Sequence, residues 1–410
     1  MTPQPVGATA LTVRTEALDS VEPLIPLLDR RDPLLFVRRG DGIAGVGEAL
    51  RLEFTGASRF ADAAAAWREI VAAATVDDAV SLPGTGLVAL GSFAFSENSK
   101  ATSVLIVPRV VVGRRDGKAW ITRVGDAAPR PTATPFGDEY RTPLLPGTMS
   151  REAFVAAVDK ALDAIRSGRV RKVVLARDLI GRLPEEADLR RVLAELALGY
   201  PDTYTYAVNG LIGSSPETLV RVDHGAVSAR VLAGSIGRGS DADADQAAAI
   251  ALATSAKDLD EHAFALASLV STLAPHTSTL TSSDLPFTLK LPNLWHLASD
   301  VEGTLADASS SLDLIGGLHP TAAVAGTPTE AALEVIAELE EFDRGRYAGP
   351  VGWVDATGDG EWAVALRCAH VSATGRITAY AGAGIVDGSD GPHGLAETKM
   401  KFRPIVEAFG

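Results

Sequence analysis

Short apolar runs broken by turn residues fill most of the chain, and helical three- and four-residue spacing is confined to a few stretches. PLLFVRRGDGIAGVGEA (33–49) reads as two strands around Gly40-Asp41-Gly42, a turn composition that favours a hairpin. FADAAAAWREIVAAAT (60–75) reads as an alanine-rich helix, and GLVALGSFAF (86–95) and SVLIVPRVVVGRR (103–115) as strands. GDAAPRPTATPFGDEYRTPLLPGTM (125–149) concentrates proline and glycine without periodicity and marks a junction between two halves. A clean helix follows. Ser150 is placed to cap it, Val155, Val158, Leu162 and Ile165 share a face, and Gly168 ends it.

Strands resume with KVVLAR (172–177), YTYAV (204–208), GLIGSSPETLVRV (210–222) and VSARVLAGS (227–235), and one long helical stretch covers 242–273. The last third mixes strands, VGWVDA (351–356), EWAVALRCAHV (361–371) and ITAYAGAGIV (377–386), with helices near 328–341 and 395–409. No internal repeat, heptad array or low-complexity tract interrupts this order. The pattern predicts a large α/β or α+β fold.

Composition narrows the function classes. The 410 residues carry a formal charge of −14, which argues against a nucleic-acid partner because phosphate binding needs basic density. A small anionic substrate remains compatible, since it responds to the local field of a cleft. The single cysteine, Cys368, rules out an intrachain disulfide framework and suits a reducing, cytoplasmic compartment. The first twenty residues lack a basic segment followed by an apolar one, so no signal peptide is expected. No run of 18 apolar residues predicts a membrane span.

Candidate chemistry collects in four places. In a strand, Lys172, Val174 and Ala176 share one face, which sets a lysine beside small apolar neighbours. It is either a solvated strand-end lysine or a desolvated amine, lowered in pKa and able to act as a base. Glu217 follows Pro216 in GSSPET, and a carboxyl opposite such a lysine would complete an acid–base pair. Asp258 and Glu261 lie at i, i+3 on a helix. Such pairs are ordinarily a solvated face, although a hard cation such as Mg²⁺ takes oxygens of this kind. YAGAGIVDGSDGPHGLAETKMKF (380–402) resembles a phosphate cradle, but GxxxxGK[ST] is absent and GAGIVDG lacks the GxGxxG spacing. No HExxH, CxxC or G-x-S-x-G pattern occurs.

Together these segments resemble the chorismate-utilising enzymes, most closely the isochorismate synthases. The resemblance covers about 150–410 through KVVLAR, GSSPE, LAGS (232–235), AKDLDEH, LWHLASDVEG (294–303), LHPTAAVAG (318–326), FDRGRYAGPVGW (342–353), GEWAVALRCA (360–369) and AGAGIV (381–386). It implies one intertwined domain over 1–410, in which 1–145 completes layered sheets with helices packed outside and 150–410 binds chorismate. It further implies Lys172 as the base that activates water for attack at C2, and Glu217 as the acid for the departing C4 hydroxyl. Glu261 and Glu397, with Asp258, are implied as Mg²⁺ ligands. Gly234, Ser235, His296, Ala323, Tyr347, Arg367, Gly384 and Lys401 are implied around the substrate. Relatives often carry a glutamate three residues before Glu397; Gly394 stands there, which implies one carboxylate fewer near the metal.

Within the family, Lys172 speaks against ammonia-using anthranilate synthases, and Ala233 and Ala323 against aminodeoxychorismate synthases. Salicylate synthases share the lysine, both glutamates and Mg²⁺, but LAGSIGRG with HPTAAVAG looks more like the enzyme that stops at isochorismate. A chorismate-binding protein without turnover is the remaining alternative, and intact Lys172 and Glu217 oppose it. The expected form is a monomer or weak homo-oligomer.

Overall fold

A computed structural model describes residues 10–125 and 129–410. Residues 126–128 of the expected junction, and 1–9, where the absence of a signal peptide was read, lie outside the described residues. The expected hairpin forms between Leu34–Arg38 and Asp41–Val46. Its two-residue turn is Arg39-Gly40, both at positive φ, one position earlier than the sequence suggested.

Two large, mainly antiparallel sheets of 13 and 10 strands organise the described residues. Each draws strands from both halves of the chain. In the larger, Tyr204–Val208 pairs with Leu34–Arg38; in the smaller, Pro350–Asp355 pairs with Val88–Ser92. Strand alternation divides the core. Leu34 and Phe36 join Trp353 and Trp362 between the sheets, while Leu35 and Val37 face outward onto a second apolar layer with Leu193, Ile405 and Phe409. Strands buried on both faces explain why the sequence shows apolar runs more than clean alternation. Helices Arg151–Arg166, Leu189–Gly199, Thr329–Leu339 and Gly391–Phe409 pack on the larger sheet. Arg59–Ala73, Ala242–Thr254, Ala256–Leu273 and Ser311–Leu318 pack on the smaller. None of the helices described is long and apolar enough to cross a membrane.

Four local differences from the sequence reading have identifiable causes. Ser150 caps its helix as expected, accepting from the Ala153 N–H at 3.1 Å, but the buried face centres on Phe154, Ala157, Val158, Ala161 and Leu162, with Val155 and Ile165 at its margin. The stretch 242–273 is two helices broken at Ser255, whose extended backbone lets its hydroxyl accept from the Asp258 N–H at 3.3 Å. The last helix starts at Gly391, where Asp390 accepts from the His393 N–H at 2.9 Å. EWAVALRCAHV is not one strand: Gly360–Val364 belongs to the smaller sheet and Cys368–Val371 to the larger.

Candidate active site at the seam between the sheets

That last break lies beside a second place where the chain passes from one sheet to the other. Leu211–Ser215 lies in the larger sheet and Thr218–Asp223 in the smaller, with Pro216-Glu217 as the passage between them. The Ser214 N–H donates to the Arg367 carbonyl at 3.1 Å, and the Val364 N–H donates to the Glu217 carbonyl at 3.1 Å, so the two passages brace each other. Arg367 takes positive φ there, 47°, a conformation unusual for its side chain. The sheet change therefore carries Glu217 and Arg367, each buried, into one cleft of about 560 Å³.

Lys172 begins the strand Lys172–Arg182, and its side chain is 0% exposed. Its Nζ lies 3.2 Å from Glu261 Oε1, yet finds no hydrogen-bond partner, so the ion pair is not an aligned hydrogen bond. Gly384 pairs with Val174 on the neighbouring strand, and an added Cβ would come within 2.3 Å of Glu261 Oε1. The carboxylate that Gly384 makes room for is thus Glu261. Gly234, at φ +79°, sits in the register shift between Ala233 and Ser235 and turns Ser235 opposite His296. Ser235 Oγ donates to Glu397 Oε1 at 2.9 Å, and Lys401 Nζ lies 2.7 Å from the same oxygen while donating to the Gly382 carbonyl at 3.0 Å. Tyr347 stacks on Tyr380, with ring centres 5.2 Å apart.

Charge in this cleft is set by burial against a few fixed cations. Burial drives the Glu217 carboxyl from 4.5 up to about 7, although Arg367, Lys172 and Lys401 pull the other way. Glu261 behaves differently. Burial opposes its charge, but Lys172, Lys401 and Lys257 outweigh burial and hold it below the usual carboxylate range. Asp258 is raised by burial, and the charges of Glu261 and Glu397 add to the rise. His296 is held well below its ordinary value by burial and by Arg367 and Lys401. Its Nδ1 lies 3.2 Å from the Gly234 carbonyl, which only accepts, so Nε2 is the unprotonated nitrogen that accepts from Arg367 at 2.6 Å. Burial also lowers the Arg367 guanidinium.

Glu217, Gly234, Ser235, Glu261, His296, Ala323, Tyr347, Arg367, Gly384, Glu397 and Lys401 all line the one cleft, and Lys172 touches it through Glu261. Asp258 lines an adjoining space that shares Ser235, Gly384 and Glu397. Gly394 lines that space too, but an added Cβ would meet Phe154, Ile385 and Val158 at 3.6–3.7 Å. A side chain at 394 would therefore start against apolar neighbours. Among the described residues, the one trio of metal-capable side chains with ligand atoms within 4.8 Å is Asp223, His224 and Asp359, outside this cleft. Sequence reasoning missed Tyr380 and the prop beneath the cleft, Glu340 and Arg344. Arg344 donates to the Glu340 carboxylate and to the Val174 and Val324 carbonyls, and Glu340 accepts from the Ala176 N–H, which ties the lysine strand to the Ala323 loop. The i, i+4 spacing of that pair was the available signal.

Fold and cleft together define a two-sheet α/β protein with a buried, charged cleft at its sheet seam, and known proteins give that class its family. The family described as "Chorismate binding enzyme" matches residues 9–410. Isochorismate synthase DhbC of Bacillus subtilis is 40% identical over 271 residues, 63% of this chain and 68% of that protein. MenF of Mycobacterium tuberculosis is 38% identical over 346 residues, 80% of this chain and 87% of its own length. The crystal structure of DhbC from Bacillus anthracis superposes with a TM-score of 0.79 at 31% identity, covering 94% of this chain and 98% of that one. The chain belongs to the chorismate-binding enzymes.

Proposed function

We propose that this enzyme is an isochorismate synthase, an isomerase that converts chorismate to isochorismate by adding water at C2 as the C4 hydroxyl departs. The observation that carries the reading is a cleft-lining Glu217 carboxyl raised to about 7 together with a buried Lys172 amine that reaches the same cleft through Glu261. Lys172 Nζ must enter the step as the neutral amine, having given up the proton it holds when paired with Glu261, and takes a proton from the attacking water. Glu217 gives its proton to the C4 oxygen, which leaves as water, so one water enters and one departs. Arg367, Lys401, Tyr347 and the Gly384 N–H hold the enolpyruvyl carboxylate, and Gly234 with Ser235 meets the ring carboxylate. His296 and Ala323 border the ring. The named relatives that make isochorismate support the same reading.

A dianionic substrate entering beside Glu261 and Glu397 needs more positive charge than Arg367 and Lys401 supply. Glu261, Glu397 and Asp258 offer hard oxygens suited to Mg²⁺, which takes one or two carboxylates plus waters and substrate oxygens. Bound there, Mg²⁺ would supply charge to the ring carboxylate. We read the described residues of both halves as one intertwined unit, because both sheets take partners from both halves. Its buried free thiol, Cys368, suits the cytoplasm.

The test is incubation with chorismate and Mg²⁺, resolving isochorismate, salicylate, anthranilate and pyruvate. Isochorismate approaching equilibrium with chorismate is expected, and exhaustive chelation should stop turnover until Mg²⁺ is restored. Pyruvate released with salicylate would overturn the activity, and turnover indifferent to chelation would remove the metal. Gly384→Ala, which forces Glu261 aside, is expected to raise the Mg²⁺ needed for half-maximal rate at least about tenfold, with an overpacking cost of about 1–3 kcal/mol in urea unfolding.

A further inference from the structure

Glu217 borders more than the substrate cleft. With Ala323 it also lines a smaller cavity of about 10 Å³, room for about a single water at a time. Thr218 and Arg230 in turn line both that cavity and a third, more open space of about 450 Å³. The three spaces share walls in series, with Glu217 between the first two and Thr218 and Arg230 between the last two.

The middle cavity is walled largely by Leu219, Val231, Ala265 and Leu269, yet polar groups interrupt it. Thr321, which also lines it, has a buried hydroxyl with no hydrogen-bond partner. Leaving such a group unsatisfied costs about 1–3 kcal/mol, so it calls for a partner. The Thr218 hydroxyl donates to the Tyr204 hydroxyl at 3.3 Å and keeps acceptor capacity. Arg230 is held on Asp300 by two charged hydrogen bonds of 2.5 and 2.7 Å, which fixes the polar wall at the outer end. Buried water typically makes about three hydrogen bonds, and Glu217, Thr321 and Thr218 supply that number.

We propose that these cavities form a rear water passage, with Thr321 as its positioning residue, that returns a proton to Glu217 and drains the water displaced from C4 while substrate fills the front cleft. The proposal rests on Glu217 acting as the general acid. Each turnover leaves Glu217 ionised and Lys172 protonated. A proton relayed from solvent along water at Thr321 restores Glu217, and Lys172 releases its own to solvent, so the cycle is proton-neutral.

Thr321→Val keeps the shape and removes the hydroxyl; Thr321→Ser restores it. Rates with chorismate and Mg²⁺ are measured for both in H₂O and D₂O. Thr321→Val is expected to lower kcat about tenfold with KM within twofold of the parent enzyme and to raise the solvent isotope effect on kcat, while Thr321→Ser stays within twofold throughout. An unchanged kcat and isotope effect in Thr321→Val overturns the passage, as does an equal loss of kcat and KM function in both variants. A parent enzyme that forms no isochorismate overturns the proposed activity itself, and the passage with it.

Discussion

Lys172→Ala is expected to cut isochorismate formation by about 10²–10⁴-fold, the range typical of one positioned proton-transfer group. Water is a poor nucleophile, and Lys172 is a fully buried amine on the strand whose Val174 lines the cleft, reaching that cleft through Glu261. Lys401 does not substitute for it, because that amine is engaged by Glu397 and the Gly382 carbonyl. The change also strips Glu261 of its nearest counter-charge. Removing one partner of a buried pair costs about 3–5 kcal/mol, and Lys401 and Lys257 keep this case toward the lower end. Lys172→Arg separates the two effects, since it retains a positive charge beside Glu261 but stays protonated and cannot act as a base. Turnover is to be measured for both variants well below their unfolding midpoints. Near-normal turnover in either, with the fold intact by circular dichroism, would sink Lys172 as the base.

The candidate residues of this cleft were legible as motifs, because each proposed catalytic group stands in a short run whose order along the chain is distinctive. Their convergence was not legible, for a physical reason. EWAVALRCAHV is mainly apolar since both of its sheets are buried, so periodicity gives no sign of the change of sheet at Arg367. The same holds at Pro216-Glu217, which reads as a turn and is a passage between sheets. Glu261 looked like half of a solvated acidic pair; its burial depends on Lys172 and on the missing Cβ of Gly384, both more than 80 residues away in sequence. The break at Ser255 was visible in principle, as a serine three residues ahead of an aspartate, but competed with strong helical composition on either side. Local pattern thus specifies elements and candidate groups, whereas the sheet seam that joins them is a long-range product of pairing.

Glu217→Gln should show activity and stability moving in opposite directions. Glutamine keeps the shape and cannot donate the proton, so kcat is expected to fall about 10²–10⁴-fold with little change in KM. In the parent enzyme the forward rate should decline as pH rises through about 7, because the acid must begin each turnover protonated. Stability follows the same titration. The folded carboxyl sits at about 7 against an ordinary 4.5, so between those values the folded state binds more protons than the unfolded one. Stability from this group is therefore present below 4.5 and is lost progressively as pH rises to about 7, where a charge is forced into the buried passage. The glutamine variant carries no such charge. Its unfolding midpoint relative to the parent enzyme should rise between pH 5 and pH 8, most steeply at about pH 6, midway between the two pKa values, and level off above about 7. The comparison is to be made without Mg²⁺ or substrate, so that neither shifts the folded state by binding. A stability difference that stays flat across this range would mean that Glu217 enters the cleft already ionised, and its assignment as the general acid would fail.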